Sequence, residues 1–214
     1  MAQAQNARTD VAQLLAGVVL GLGVASAALG QTIIEEWAEI KVPAAPALKP
    51  VKVDTKETAL LMLDFVKQTC TPRPRCVASL PKMQGLLARA RENGVLVVYS
   101  IVTGQSPADV LPEVAARPGE PFVSSLPDKF QGTDLEKILR DKGIKTVIVT
   151  GTAAEGAVLN TGAAAALRGF KVILPVDAAT SSLPFNELYT VWHLGNSPRV
   201  GPQTTLTRID QISF

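Results

Sequence analysis

The sequence predicts an α/β fold, a three-layer α/β/α sandwich around a mainly parallel sheet. Two long apolar runs, TALLMLDF (58–65) and VLVVYSIV (95–102), are typical of strands covered on both faces. Between them, leucine and methionine recur at helical spacing over 79–94, and Gly94 marks the end of that helix. Strands and helices keep alternating along the chain, which favours a parallel sheet with right-handed crossovers.

The later elements follow the same alternation. Over 132–143 the pattern predicts a helix with Thr133 as N-cap, Glu136 in the capping-box position and Gly143 after its end. The other predicted elements are strands over 121–125, 145–151 and 170–177, a helix over 155–169 and an edge strand over 205–214.

A hydrophobic segment, residues 1–30, precedes the domain. Leu14–Gly30 carries no charge, and its length just reaches the ~17–25 apolar residues of a membrane-spanning helix. Arg8 and the small residues before Gln31 fit a cleaved secretory signal equally well. Both alternatives predict an exported protein, periplasmic or secreted. If the segment is retained, residues 11–30 anchor the protein and contact a membrane or a membrane-protein partner.

Residues 31–52 are predicted to connect this segment to the domain, which spans 53–214. Apolar side chains share one helical face over 33–40, which predicts a short amphipathic helix that docks on a partner or on its own domain. Three prolines between 43 and 50 then predict an extended linker.

Composition excludes several classes of function. The net charge is only +2, and no Lys/Arg block is interleaved with aromatic residues, so we expect no nucleic-acid partner. His193 is the only histidine, and we expect it to be a packed or surface helix residue; the sequence therefore predicts no metal site. We expect no cofactor, and we expect a homo-oligomer or a subunit of a complex.

Three positions lie where predicted strands end: Asp64, Ser124 and Gly151. In open parallel sheets, ligands bind beyond the carboxyl ends of the strands. The sequence therefore predicts a single crevice that collects these positions.

Two further stretches carry a family resemblance. FQGTDL (130–135) has the form Phe-x-x-Thr-x-Leu, and GTAAEGAVLNT (151–161) resembles the segment Gly-x-x-Thr-Asp-x-Cys-Val-x-x-Thr. Together with the apolar strand ending in Asp64, these motifs resemble the isochorismatase-like (cysteine hydrolase) superfamily over roughly 58–180. The resemblance implies the isochorismatase-like version of the predicted sandwich.

The resemblance also implies a catalytic triad of Asp, Lys and Cys, in which the thiolate attacks an amide or similar carbon. Aligned on Gly151, the Cys position holds Ala157, by nature or by engineering. Aligned without gaps on Phe130 and Thr133 of FQGTDL, the Lys position holds Ser124, and Lys129 follows five residues later. On this alignment only Asp64 remains, and covalent thiol catalysis is excluded because a methyl group has no lone pair.

Two hypotheses follow. Some relatives that cleave isochorismate also lack the cysteine, and the resemblance then implies that Asp64 acts as a general acid on a vinyl ether in a small carboxylated substrate. The alternative is a non-catalytic, membrane-tethered binding or structural subunit with a degenerate hydrolase fold. Lys67, three residues after Asp64, is either a pairing partner or a solvated loop lysine.

The turn over 152–157 offers backbone N–H groups at the start of a helix, a potential anion or oxyanion site. Arg73 and Arg75 add positive charge at its mouth or are simply solvated. The candidate pocket and anion-binding residues are Lys67, Lys129, Thr152, Ala153, Glu155 and Gly156.

Cys70 and Cys76 are the only cysteines. Their short spacing and the predicted export favour an intramolecular disulfide. The alternative is that Cys70 is a displaced nucleophile.

Overall fold

The computed structural model describes residues 32–214, and the elements of regular secondary structure lie within Ala45–Phe214. The predicted hydrophobic helix within 1–30 lies outside the described residues. Among residues 32–214, no helix is both long enough and apolar enough to cross a bilayer.

The predicted amphipathic helix over 33–40 is not a regular helix. The segment forms successive turns, in which the Glu35 and Glu39 amides bond the carbonyl oxygens three residues earlier, Thr32 and Glu36, at 3.1 and 2.9 Å. Its apolar side chains are exposed, Trp37 by 63%. A short segment with adjacent β-branched residues lacks the propensity to form a helix without packing.

The core of the molecule is a seven-stranded sheet with the order β4-β3-β2-β5-β6-β8, in which β7 also pairs with β5. Every pairing in this sheet is parallel, as the sequence predicts. Its strands are β2 (Thr58–Leu63), β3 (Leu96–Val102), β4 (Phe122–Ser125), β5 (Thr146–Thr152), β6 (Lys171–Pro175), β7 (Ala179–Thr180) and β8 (Thr204–Thr207). Outside it, β1 (Val51–Lys52) pairs with β9 (Ile212–Ser213).

Helices cover both faces of the sheet, which gives the three predicted layers. One apolar cluster joins α2 to β2 and β3, through residues such as Met83 and Leu60. The other joins α3, α4 and α5 to the opposite face, through residues such as Leu139 and Leu194. The helices are α1 (Lys67–Cys70), α2 (Pro74–Glu92), α3 (Leu135–Asp141), α4 (Leu159–Leu167) and α5 (Pro184–Asn196).

The start of α3 and the C-terminal edge strand differ from their predictions. α3 begins at Leu135, and its N-cap is Asp134 without a side-chain cap, so the capping box of Thr133 and Glu136 does not form. The Thr133 hydroxyl instead donates to the Lys129 carbonyl oxygen at 2.5 Å. The predicted edge strand over 205–214 divides into β8, at the sheet edge, and β9, which leaves the main sheet.

The predicted disulfide is present between Cys70 and Cys76, and both cysteines are buried. It closes the short loop between α1 and α2. A cysteine held in a disulfide is not a thiolate, so the alternative role of Cys70 as a nucleophile does not apply while the bridge is intact.

Strands β2 and β5 approach each other closely where they end. Leu63 pairs with Gly151, and a Cβ added at Gly151 would lie only 2.3 Å from the Leu63 carbonyl oxygen. Glycine is therefore required at position 151. This close approach brings the residues that follow the two strands, Asp64 and the turn over 152–157, to the same end of the sheet.

Candidate active site

Asp64 lies directly after β2, at the carboxyl end of the sheet. Its φ of 56° is in the left-handed region, which aspartate tolerates better than most residues. The residue is 4% exposed. The Ser100 hydroxyl, from the neighbouring strand β3, donates to Asp64 Oδ1 at 2.7 Å. Strand β3 thus orients the carboxylate through Ser100, a residue that strand and motif patterns do not single out.

The basic partner of Asp64 is Lys129, not a residue at position 124. Lys129 Nζ lies 2.8 Å from Asp64 Oδ2, and the lysine is only 1% exposed. Ser124 lies on β4 and its side chain is exposed. The assignment of Ser124 to the lysine position is therefore wrong. The loop after β4 folds back to the end of the sheet, so the ammonium next to Asp64 belongs to Lys129, five residues after Ser124.

Hydrogen bonds from two neighbouring elements fix this loop. The Ser125 hydroxyl, at the end of β4, donates to the Gln131 carbonyl oxygen at 2.8 Å. The buried Thr161 on α4 accepts the Lys129 amide at 3.2 Å and donates to the Pro127 carbonyl oxygen at 3.2 Å. Lys129 Nζ itself donates to the Ser125 carbonyl oxygen at 3.1 Å. The position of the ammonium is thus held by backbone and side chain together.

Ala157 lies in a π-helical turn, Ala154–Val158, between β5 and α4. It is 4% exposed, so its methyl group is part of the packed wall. The amides of Gly156 and Val158 donate to the Ala153 carbonyl oxygen at 3.1 and 3.4 Å. One N–H group of the predicted anion site, that of Gly156, is therefore already used within the turn.

Glu155 adds a carboxylate to the same turn. Its Oε2 accepts the Ser181 hydroxyl at 2.6 Å, and its Oε1 accepts the Asn186 amide at 2.7 Å. Its side chain is half-buried, and these bonds tie the turn to the start of α5. A negative charge at this place opposes the binding of an anion to the turn.

The remaining candidates surround the site rather than enter it. Lys67 begins α1 and is exposed, and the buried Thr152 hydroxyl donates to the Thr180 carbonyl oxygen at 3.1 Å. Arg75 forms an ion pair with Glu187 on α5, and Arg73 bonds the Thr69 carbonyl oxygen. The pairing with Glu187 raises the pKa of the Arg75 guanidinium.

Two surface cavities lie elsewhere in residues 32–214. One, of about 450 Å³, lies between α2 and the chain before β9 and is lined by residues such as Lys82 and Asp177. The other, of about 210 Å³, lies near β1. Neither is lined by Asp64, Lys129 or Ala157. The paired charges are themselves almost fully covered by protein, with side-chain exposures of 1% for Lys129 and 6% for Asp64.

The arrangement brings a carboxylate, an ammonium and a hydroxyl together beside a wall without a nucleophile. Buried ion pairs contribute little net stability, because desolvation of the charges offsets their attraction. The pair lies at the carboxyl end of a parallel sheet, which is where ligands bind in folds of this kind.

Comparison with known proteins identifies the scaffold. The Isochorismatase domain family matches residues 58–205. The chain belongs to the isochorismatase family. This assignment agrees with the strand-end position of Asp64 and with the motifs at 130–135 and 151–161.

Curated relatives of this isochorismatase-family chain include one amidohydrolase and one further hydrolase. It is 29% identical to maleamate amidohydrolase of Pseudomonas putida, over 56% of this chain and 70% of the relative. It is 32% identical to streptothricin hydrolase of Streptomyces noursei, over 69% of this chain and 62% of the relative, so part of that relative has no counterpart in the match. It is also 25% identical to a secreted isochorismatase effector of Verticillium dahliae, over 60% of this chain and 75% of the relative.

Solved structures agree on the fold. A cysteine hydrolase from Pseudomonas syringae pv. phaseolicola superposes with a TM-score of 0.66 at 19% identity, covering 79% of this chain and 96% of that one. N-carbamoylsarcosine amidase from Thermoplasma acidophilum superposes with a TM-score of 0.63 at 24% identity, covering 74% of this chain and 99% of that one.

Proposed function

We propose that this isochorismatase-family protein performs proton-transfer chemistry with Asp64 and Lys129, without a thiol nucleophile. The observation that carries the proposal is the buried ion pair, in which Lys129 Nζ lies 2.8 Å from Asp64 Oδ2. The proposed reaction is hydrolysis of an acid-labile bond, with the vinyl ether as the representative substrate.

The ion pair supplies both the proton and the counter-charge. Lys129 passes a proton through Asp64 to the vinylic CH₂ carbon of the substrate, which breaks the C=C π bond and forms a C–H bond. The resulting oxocarbenium ion lies beside the Asp64 carboxylate, which stabilises its positive charge. Water adds to this ion and returns a proton to Lys129. The hemiketal then collapses to a ketone and an alcohol, so one water is consumed and the pair is restored.

Ser100 has a positioning role in this proposal. Its hydroxyl bonds Asp64 Oδ1, so Oδ2 is the oxygen that faces the ammonium and carries the proton. Holding the carboxylate in one orientation keeps the donor oxygen fixed with respect to the reacting carbon.

Ala157 limits the chemistry. Thiol hydrolases attack the carbonyl carbon with a lone pair on sulfur, and an alanine methyl group has none. Although two curated relatives are named as an amidohydrolase and a hydrolase, we propose that this chain does not hydrolyse amides through a covalent intermediate.

Charge bears on the choice of substrate. Asp64, Lys129 and Glu155 together leave one net negative charge at the site. A carboxylated substrate must therefore bring its carboxylate towards the Lys129 side and away from Glu155. Comparison of isochorismate with a neutral vinyl ether, 2-methoxypropene, distinguishes a site that selects the carboxylate from one that does not.

A second function is supported by a specific observation. Asp64, Lys129 and Ala157 are each less than 5% exposed, which favours a binding or structural subunit whose site does not open to substrate. This alternative predicts no turnover of any substrate by any variant.

The test is a turnover assay of the natural protein on isochorismate, 2-methoxypropene and maleamate. We expect slow cleavage of a vinyl ether, no hydrolysis of maleamate and no effect of thiol alkylation. Asp64→Asn is expected to lower the vinyl-ether rate by about 10²–10⁴-fold, the usual contribution of a general acid. Lys137→Met, which breaks an exposed ion pair with Asp141, is the control and keeps the natural rate. Rapid hydrolysis of maleamate by the natural protein would contradict the proposal.

We also propose that the protein is exported. The uncharged segment at 14–30, the Cys70–Cys76 bridge and the secreted relative of Verticillium dahliae all support this location. We expect unreduced native protein to gain the mass of two hydrogens on reduction, measured by intact-mass spectrometry, and alkaline extraction of membranes to decide whether it is anchored. A cytosolic protein with two freely alkylated thiols would rule this out.

A further inference from the structure

The outer face of α5 carries an exposed apolar stripe. Phe185, Leu188, Tyr189 and Trp192 recur at helical spacing and are 59, 38, 40 and 42% exposed. The opposite face holds the buried Thr190 and Leu194. We call these four exposed residues the α5 stripe.

The helix is unusual because its outer face carries no charge. Within α5 the only carboxylate is Glu187, which already pairs with Arg75, and the only other ionisable groups are Tyr189 and His193. A helix at the surface of a soluble domain normally turns charged side chains outward. An uncharged, aromatic outer face is typical instead of the centre of a protein interface, where aromatic residues are enriched and charges depleted.

The helix is also firmly attached to the domain. Leu194 packs against Gly162 of α4, where an added Cβ would lie 3.2 Å from the leucine side chain. Asn186 bonds Glu155, and the Glu187 carboxylate accepts the Ser181 amide at 2.9 Å. The stripe is thus presented on a rigid support and is not a loosely packed helix that could turn inward.

We propose that the α5 stripe is a two-fold interface with a second copy of this chain. In an antiparallel pair of α5 helices, Leu188 and Tyr189 lie near the axis, and Phe185 of each copy faces Trp192 of the other. Because no stripe residue is charged at neutral pH, the surface meets its own copy without like-charge repulsion, as an isologous interface requires.

The area fits a dimer. Large apolar side chains bury roughly 150–250 Å² each, so the exposed parts of the stripe and of the neighbouring Leu183 amount to about 400–500 Å². Two copies then bury roughly 800–1,000 Å² in total, which is the range of small, transient interfaces below about 1,200 Å². A membrane surface fits less well, because interfacial helices carry lysine and arginine on their polar face and α5 has neither.

The test is sedimentation equilibrium of the full 22.6 kDa chain in a density-matched detergent. We expect the natural protein to sediment as a dimer. The double variant Phe185→Glu/Trp192→Glu should sediment as a monomer, because a dimer would bury two carboxylates from each copy in the interface. Leu167→Glu, on α4, is the matched control: this leucine is 58% exposed outside the stripe, and the variant should remain dimeric.

A second measurement does not depend on the folding of a charged variant. Leu188→Cys should form a disulfide-linked dimer under mild oxidation, whereas Leu167→Cys should remain monomeric on a non-reducing gel. The natural cysteines do not interfere because they are bridged to each other. A monomeric natural protein, an unchanged mass for the double variant, or equal cross-linking at both positions would overturn the proposal. A natural monomer that binds vesicles through the stripe would assign it to a membrane.

Discussion

Replacing Lys129 with methionine is expected to lower the free energy of unfolding by about 3–5 kcal/mol, the typical cost of removing one partner of a buried ion pair. Methionine retains most of the side-chain volume but leaves the Asp64 side chain, which is 6% exposed, without its ammonium partner. The Ser100 hydroxyl alone does not replace that charge. Denaturant unfolding followed by circular dichroism measures the change.

The double variant Asp64→Asn/Lys129→Met provides the internal comparison. It removes both charges, so we expect it to recover most of the stability lost in Lys129→Met. Lys137→Met removes a lysine from an exposed pair and should change stability by less than about 1 kcal/mol. Equal losses for Lys129→Met and Lys137→Met would mean that the two charges at the sheet end are not a buried pair.

Replacing Ala157 with cysteine is expected to create amide hydrolysis that the natural protein lacks. The alanine lies in the turn that follows β5, and β5 ends beside the strand that carries Asp64. Nearby positive charge lowers the pKa of a thiol and favours the nucleophilic thiolate. Lys129 pairs with Asp64 at the same end of the sheet, and we expect it to supply this charge. The single change should then suffice, without a lysine at position 124.

The expected gain is at least about 10²-fold over the natural background on maleamate, the lower range for assistance by a general base. Iodoacetamide should abolish the gained activity. Ala163→Cys, which places a thiol in a half-buried position further along the same helical segment, is the control and should gain nothing. If both variants remain inert while both fold, the turn does not present position 157 to substrate, and the case for a binding or structural subunit becomes stronger.

Most of the architecture could be predicted from the sequence because its signals are local. The unbroken apolar runs of β2 and β3 indicate buried strands, and Gly94 and Gly143 follow the helices α2 and α3, as expected of stop signals. Asp64 could be placed because it directly follows a buried strand. The short helix expected over 33–40 was wrong because spacing alone does not supply the packing that a short helix needs.

The partner of Asp64 could not be predicted in the same way. An ungapped alignment assumes that the loop after β4 has constant length, and the ammonium comes instead from five residues later. One signal was present: Lys129 is the only lysine or arginine between Arg117 and Lys137. Ser100 was missed because a single serine within VLVVYSIV reads as part of a strand, and only the pairing of β2 with β3 brings it to Asp64.

The central claim is that the buried pair delivers a proton to carbon without a thiol. The most direct measurement is product analysis of vinyl-ether cleavage in D₂O by mass spectrometry, with the natural protein and Asp64→Asn compared at equal folded concentration. We predict one deuterium in the methyl group of the ketone released by the natural protein, at a rate about 10²–10⁴-fold above that of Asp64→Asn. A ketone without methyl deuterium, or equal rates for the two proteins, would contradict the claim.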